Sequence, residues 1–290
     1  NMTCYVFPGQ GSQKVGMGET LFNEFSNETK QASEILGYDI QELCLTDPNN
    51  QLNQTQFTQP ALFVVSALSY LAYQKENPTH PAYLAGHSLG EYNALFAAKV
   101  IDFETGIKLV QKRGELMAEA SGGAMAAIIG MSATNIAKTL ASNNLTGIDI
   151  ANFNEPNQTV ISGQENDIKK AQKIFEEAGV RRYIPLAVSG AFHSRYMEPS
   201  KKAFETYLES YVFSEPTIPV IANVTANPYT QTDIKTLLAK QITHSVKWVD
   251  SIAYILNKQE SDLIEIGPGK VLTGLINKIK KGIETNAVTH

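Results

Sequence analysis

Cysteine is scarce in this chain of 290 residues: Cys4 and Cys44 are the whole supply. Two thiols without metal-type spacing exclude a disulfide framework and a thiolate metal site, and both read as small buried apolar residues. No apolar run approaches the ~20 residues of a membrane-spanning helix. Nothing resembles a charged-then-apolar leader, since the strand pattern begins at Thr3. A cytoplasmic protein with no membrane partner is therefore expected. Surplus positive charge is missing too. Lys and Arg number 24 against 29 Asp and Glu, a net charge of -5, which gives no general reason to expect nucleic acid or an anionic surface as partner. No internal repeat or low-complexity tract is visible, and no metal site is expected.

What is present is a globular composition: 43% hydrophobic and 18% charged residues, enough chain for one large domain or two modest ones. Thr3–Phe7 reads as a strand running into the loop Pro8-Gly9-Gln10-Gly11-Ser12-Gln13. Pro60–Glu76 has apolar residues at helical spacing, with proline at its start. Ala82–Ala85 reads as a strand, Leu89–Ala98 as a helix, and Asp102 caps a helix to Ala120. From Ser121-Gly122-Gly123 the character changes. Strand, helix, strand, strand, helix and strand follow in order to Pro185, the split ferredoxin-like arrangement. Residues 123–187 are thus expected to be a small subdomain inserted into a larger one made of 1–122 and 188–290. Alternating strands and helices in the larger part predict an α/β fold with a mainly parallel sheet covered on both faces.

Ala85-Gly86-His87-Ser88-Leu89-Gly90-Glu91 has the form G-x-S-x-G. Between a strand and a helix, that spacing predicts a sharp turn that presents the Ser88 hydroxyl as a nucleophile; without that context it would be an ordinary Gly-Ser loop. A serine needs a base, and five histidines are available. His290 is terminal, His80 sits in a Pro-flanked connector, His87 points away from its neighbour's hydroxyl, and His244 follows a helix. His193, in the loop joining the small subdomain back to the large one, is the remaining candidate base. An oxyanion would need donors: the Leu89 backbone N–H and one from the glycine loop, where Gln10 is well placed. Arg113, mid-helix in Gln111-Lys112-Arg113-Gly114, reads either as a solvated cation or as a fork for a carboxylate. Gly9 and Gly11 do not complete a dinucleotide loop, and Gly267-Pro268-Gly269-Lys270 is not a P-loop.

Phe7–Gln13, Gly86–Glu91, Gln111–Gly114, Gly190–His193 and Glu265–Leu272, in that order, resemble the malonyl-CoA:acyl carrier protein transacylase family. The resemblance implies an α/β-hydrolase-like core with an inserted ferredoxin-like subdomain. It also implies transfer of malonyl from malonyl-CoA, a coenzyme A thioester, to the phosphopantetheine thiol of an acyl carrier protein, free-standing or within a polyketide synthase, with no cofactor bound to the chain itself. By the same resemblance Ser88 carries the acyl group and His193 is base and then acid. Gln10 and Leu89 form the oxyanion hole, Arg113 holds the malonyl carboxylate, and the Lys247 carbonyl orients His193. Phe192 and Leu89 point to unbranched malonyl units.

Glu91–Ala98 looks more like the free-standing acyltransferases of polyketide synthases than the fatty-acid-synthesis transacylase, and Lys99 stands where the family often has glycine. The rival readings are the fatty-acid enzyme, a carrier-protein proofreading hydrolase, and a non-catalytic carrier-docking module. Lys278, Lys280 and Lys281 read either as a contact for an acidic carrier or as a solvated helix end.

Overall fold

The computed structural model describes residues 2–289, with side chains to Glu284. Among them are eight strands: β1 Met2–Phe7, β2 Leu84–Gly86, β3 Gly123–Ile129, β4 Asp149–Glu155, β5 Gln158–Gln164, β6 Arg182–Pro185, β7 Val220–Ile221 and β8 Ser261–Glu265. The helices are α1 Leu21–Glu24, α2 Ser26–Leu36, α3 Ile40–Leu45, α4 Thr55–Glu76, α5 Gly90–Ala97, α6 Phe103–Ala118, α7 Ala133–Ser142, α8 Glu165–Glu177, α9 Glu198–Leu208, α10 Ile234–Gln241, α11 Trp248–Lys258 and α12 Val271–Thr289.

One sheet is parallel, in the order β7-β2-β1-β8. Its strands are short and apolar because both faces are covered. Tyr5, Phe7, Leu84 and Val220 face a large core built with α4, α5 and α6. Their neighbours Cys4, Val6, Ala85 and Ile221 face a smaller one built from Trp248, Ile252 and Ile255 of α11 and Leu272, Leu275, Ile276 and Ile279 of α12. Cys4 and Cys44 are buried and unbonded, as the sequence suggests.

The other sheet is antiparallel, in the order β4-β5-β3-β6, and takes all its strands from residues 123–185. It is the ferredoxin-like order, with α7 and α8 packed through Ile136, Leu140, Ile168, Ala171 and Phe175. Ser132 caps α7 by accepting from the Asn135 N–H at 3.2 Å. The edge strand β4 is tied to the rest of the chain through backbone bonds, Phe153 N–H to Val246 O at 2.9 Å and Val246 N–H to Ala151 O at 2.8 Å.

One expectation needs correction. Helix α4 starts at Thr55, so Pro60 lies inside it rather than at its start; the Pro60 nitrogen leaves the Gln56 carbonyl without its helical donor. Helices α1–α3, between the first loop and α4, carry no motif and were not foreseen. No described helix is long and apolar enough to cross a membrane.

Candidate active site

β1, β2 and β7 are neighbours, and the segments leaving their C-terminal ends converge, where open parallel sheets offer a crevice. The turn after β2 is held by close approach. A Cβ on Gly86 would lie 2.0 Å from the Gly90 carbonyl, and one on Gly90 would lie 2.1 Å from the Phe7 oxygen. Even Gly9 in the first loop sits so that a Cβ would meet the His87 oxygen at 2.4 Å. Only glycine fits these three places, so the loop after β1 is pressed onto the turn. Ser88 at its apex has φ +51°. A left-handed backbone at a non-glycine residue costs about 1–2 kcal/mol and marks a conformation that its surroundings impose.

His193 is a second such residue, at φ +59° in the loop before α9. Its Nε2 lies 2.8 Å from Ser88 Oγ. Its Nδ1 lies 2.7 Å from the Gln241 carbonyl. A carbonyl only accepts, so Nδ1 carries the hydrogen and Nε2 is the acceptor for the serine proton. Burial above all, then the Arg113 cation, lowers the His193 pKa to about 3. The resting imidazole is neutral, the form a base requires.

Arg113 is buried, not solvated. Nη2 donates to Ser88 Oγ at 3.2 Å and to Gln241 Oε1 at 2.8 Å, and Nη1 donates to Gln59 Oε1 at 2.8 Å. Its guanidinium carbon lies 5.7 Å from the centre of the Tyr92 ring. The cation therefore touches the Ser88 hydroxyl itself. Phe192, beside His193, lines a cavity of ≈ 430 Å³ with Thr55, Gln56, Leu186 and Val188. Leu89 is buried at the start of α5, and no protein acceptor is seen for its N–H or for that of Gln10 among the described residues. The Gln10 side chain donates to Thr55 Oγ1 at 3.2 Å, which fixes its loop against α4.

The Lys247 carbonyl does not orient His193; the Gln241 carbonyl does. Gln241 ends α10, and the last carbonyls of a helix have no intrahelical donor and remain available. Lys247 precedes α11, and its carbonyl is taken by Ser251, from N–H at 3.0 Å and Oγ at 2.7 Å. The C-terminal lysines are also partly committed: Lys278 lies 3.7 Å from the Glu155 carboxylate and Lys280 donates to the Ser261 carbonyl at 3.5 Å. His87 points away from the hydroxyl as expected, with Nε2 2.7 Å from Asn154 Oδ1. His244 donates to the Lys240 carbonyl at 2.9 Å.

Sequence reasoning missed the polar frame behind the serine. Asn223, just past β7, accepts from the Ser88 N–H at 2.8 Å and donates to the Gly86 carbonyl at 2.7 Å, bridging the strained turn. Its own N–H donates to Glu91 at 2.7 Å, and Tyr229 OH donates to the other Glu91 oxygen. Burial raises the Glu91 carboxyl to about 7. Gln241 Nε2 donates to the Ser88 carbonyl at 3.0 Å, so this one residue touches the serine, the histidine and the arginine. Only Asn223 carried a usable signal, a lone polar residue closing the apolar run Ile218–Ala222; Gln59 follows Thr58 and Gln241 follows Lys240, so neither stands out.

The acyl transferase domain family matches residues 4–288. The polyketide biosynthesis malonyl CoA-acyl carrier protein transacylase PksC of Bacillus subtilis is 57% identical over 284 residues, covering 98% of this chain and 99% of that protein. A malonyl CoA-acyl carrier protein transacylase from Burkholderia pseudomallei superposes with a TM-score of 0.94 at 47% identity, over 97% of this chain and 99% of that one. A malonyl-transacylase solved in complex with its type II polyketide synthase acyl carrier protein gives a TM-score of 0.91 at 37% identity, over 96% and 93%.

Proposed function

Because the chain belongs to the acyl transferase domain family, we propose that it moves malonyl from malonyl-CoA to the phosphopantetheine thiol of an acyl carrier protein, in the cytoplasm and for polyketide synthesis. The observation that carries this reading is the position of Ser88 Oγ between two unlike groups, a neutral imidazole nitrogen at 2.8 Å and a guanidinium nitrogen at 3.2 Å. One makes the oxygen nucleophilic. The other selects an acyl group that ends in a negative charge.

In the first half-reaction the malonyl carboxylate lies on Arg113. Ser88 Oγ attacks the thioester carbonyl while its proton passes to His193 Nε2. The oxyanion is received by the Leu89 and Gln10 N–H groups, aided by the positive end of α5. The C–S bond breaks, and the coenzyme A thiolate leaves with the proton from His193. In the second half the carrier's thiol gives its proton to His193 and attacks the ester. The Ser88–acyl bond breaks and Oγ recovers that proton. The Gln241 carbonyl holds the imidazole in one tautomer through both halves, and each group ends as it began.

Arg113 favours this reading over a proofreading hydrolase, which has no need of a cation beside the nucleophile. Incubation with malonyl-CoA followed by peptide mass spectrometry is expected to place a malonyl adduct on Ser88, which Arg113→Ala loses in favour of uncharged acyl groups. Absence of an adduct on any residue would leave only the carrier-docking module.

A further inference from the structure

Arg113 has no carboxylate within ion-pair distance among the described residues. Glu91 acts on it only at longer range. Its fork is held by neutral oxygens instead, Gln59 Oε1 on Nη1 and Gln241 Oε1 on Nη2, both at 2.8 Å. Both glutamines are fully buried, so neither contact is shared with bulk solvent. A guanidinium is planar, and two acceptors on its two terminal nitrogens fix that plane. Carboxylates would fix it equally well and would also cancel its charge.

We propose that Gln59 and Gln241 are specificity-determining residues: their uncharged oxygens lock the Arg113 fork toward Ser88 while leaving its positive charge for the substrate's carboxylate. This rests on the reading of Arg113 as the holder of that carboxylate. The two glutamines are not equivalent for a test. Gln241 Nε2 is engaged with the Ser88 carbonyl at 3.0 Å and Asn223 Oδ1 at 3.2 Å, so changing it disturbs the turn as well. Gln59 Nε2 donates only to the Met117 sulfur at 3.4 Å, a weak acceptor. Gln59→Glu therefore adds one charge at nearly constant shape and gives up little else.

The experiment is competition between malonyl-CoA and acetyl-CoA for Ser88 in the whole protein, read by intact mass. Four proteins are compared: the native chain, Gln59→Glu, Gln59→Met and Arg113→Ala. An ion pair at position 59 is expected to cut the malonyl-to-acetyl acylation ratio about 10–100-fold, the difference between a charge-assisted and a neutral contact. Gln59→Met keeps the cation and is expected to lower the ratio far less than Gln59→Glu does, by no more than the modest rise in KM for malonyl-CoA that a looser fork brings.

A native ratio in Gln59→Glu overturns the proposal, as does a ratio in Gln59→Met that falls as far as in Gln59→Glu. If Gln59→Glu does not fold, Gln241→Glu is expected to give the same fall, and a native ratio there overturns the proposal equally. Arg113→Ala separates the two levels. A lost preference there beside a retained one in Gln59→Glu rejects the role of the glutamines alone. A retained preference in Arg113→Ala rejects the reading of Arg113, and this proposal with it.

Discussion

Around the antiparallel sheet the interior is Ala126, Ile128, Ile136, Leu140, Ile161, Ile168 and Phe175. Around the C-terminal ends of β1, β2 and β7 it is Gln59, Glu91, Arg113, His193, Asn223 and Gln241, each no more than 4% exposed. The first interior needs only apolar residues at the right period. The second must pair most of the donors and acceptors it encloses, because each unpaired one costs about 1–3 kcal/mol, and Arg113 Nε is one that it leaves without a partner. Where β4 of the smaller sheet does bury polar groups, they pair with the larger part of the chain: Asn154 meets His87 of the turn after β2, and Glu155 meets the half-exposed Lys278 of α12. Chemistry is thus concentrated in one interior, and the other is free to serve packing.

That division can be broken by substitution. The largest effect is expected from His193→Ala, which removes the acceptor for the serine proton and should slow acylation by ~10²–10⁴ while the fold persists. Stopped-flow release of coenzyme A beside a circular dichroism spectrum checks both halves. Next is Ile161→Ala in the smaller sheet, expected to lower unfolding free energy by ~2–5 kcal/mol while the folded molecules acylate at the native rate. Urea titration and active-site counting measure these separately, and a rate collapse there would merge the two regions.

The smallest effect concerns pH. Glu91 is raised from 4.5 to about 7 by burial. Folding therefore takes up a proton in that window. The stability this contributes is full below pH 4.5 and is lost as pH rises through 7. Glu91→Gln removes that fall, so its urea midpoint should gain on the native one as pH rises through the window. Parallel curves would mean that Glu91 folds ionised.

Local rules made much of this readable in advance. Gly86 and Gly90 announce the turn because close backbone approach tolerates nothing larger. The order of strands and helices over 123–185 follows from period and punctuation. Lys99 at φ +62° confirms that the position after α5 is a left-handed turn, which explains why glycine suits it. Illegible were the contacts between distant segments. Gln59, Asn223 and Gln241 come from three elements and share no spacing, so only the fold brings them together. The resemblance puts the histidine's orienter at Lys247, six residues beyond the Gln241 carbonyl that meets Nδ1. Whether a carbonyl is free depends on where one helix stops and the next begins, and such boundaries are the least certain part of a sequence pattern.

The atom that steadies His193 belongs to the main chain. No codon encodes a peptide carbonyl, and none can delete one. A scan through every side chain at position 241 would report on the carboxamide and pass over the oxygen behind it. Natural variation is equally blind to it, so the imidazole's tautomer is shielded from point mutation in a way that a carboxylate partner would not allow. Reaching it would take semisynthesis, with an ester replacing the amide after residue 241 to make that oxygen a poorer acceptor.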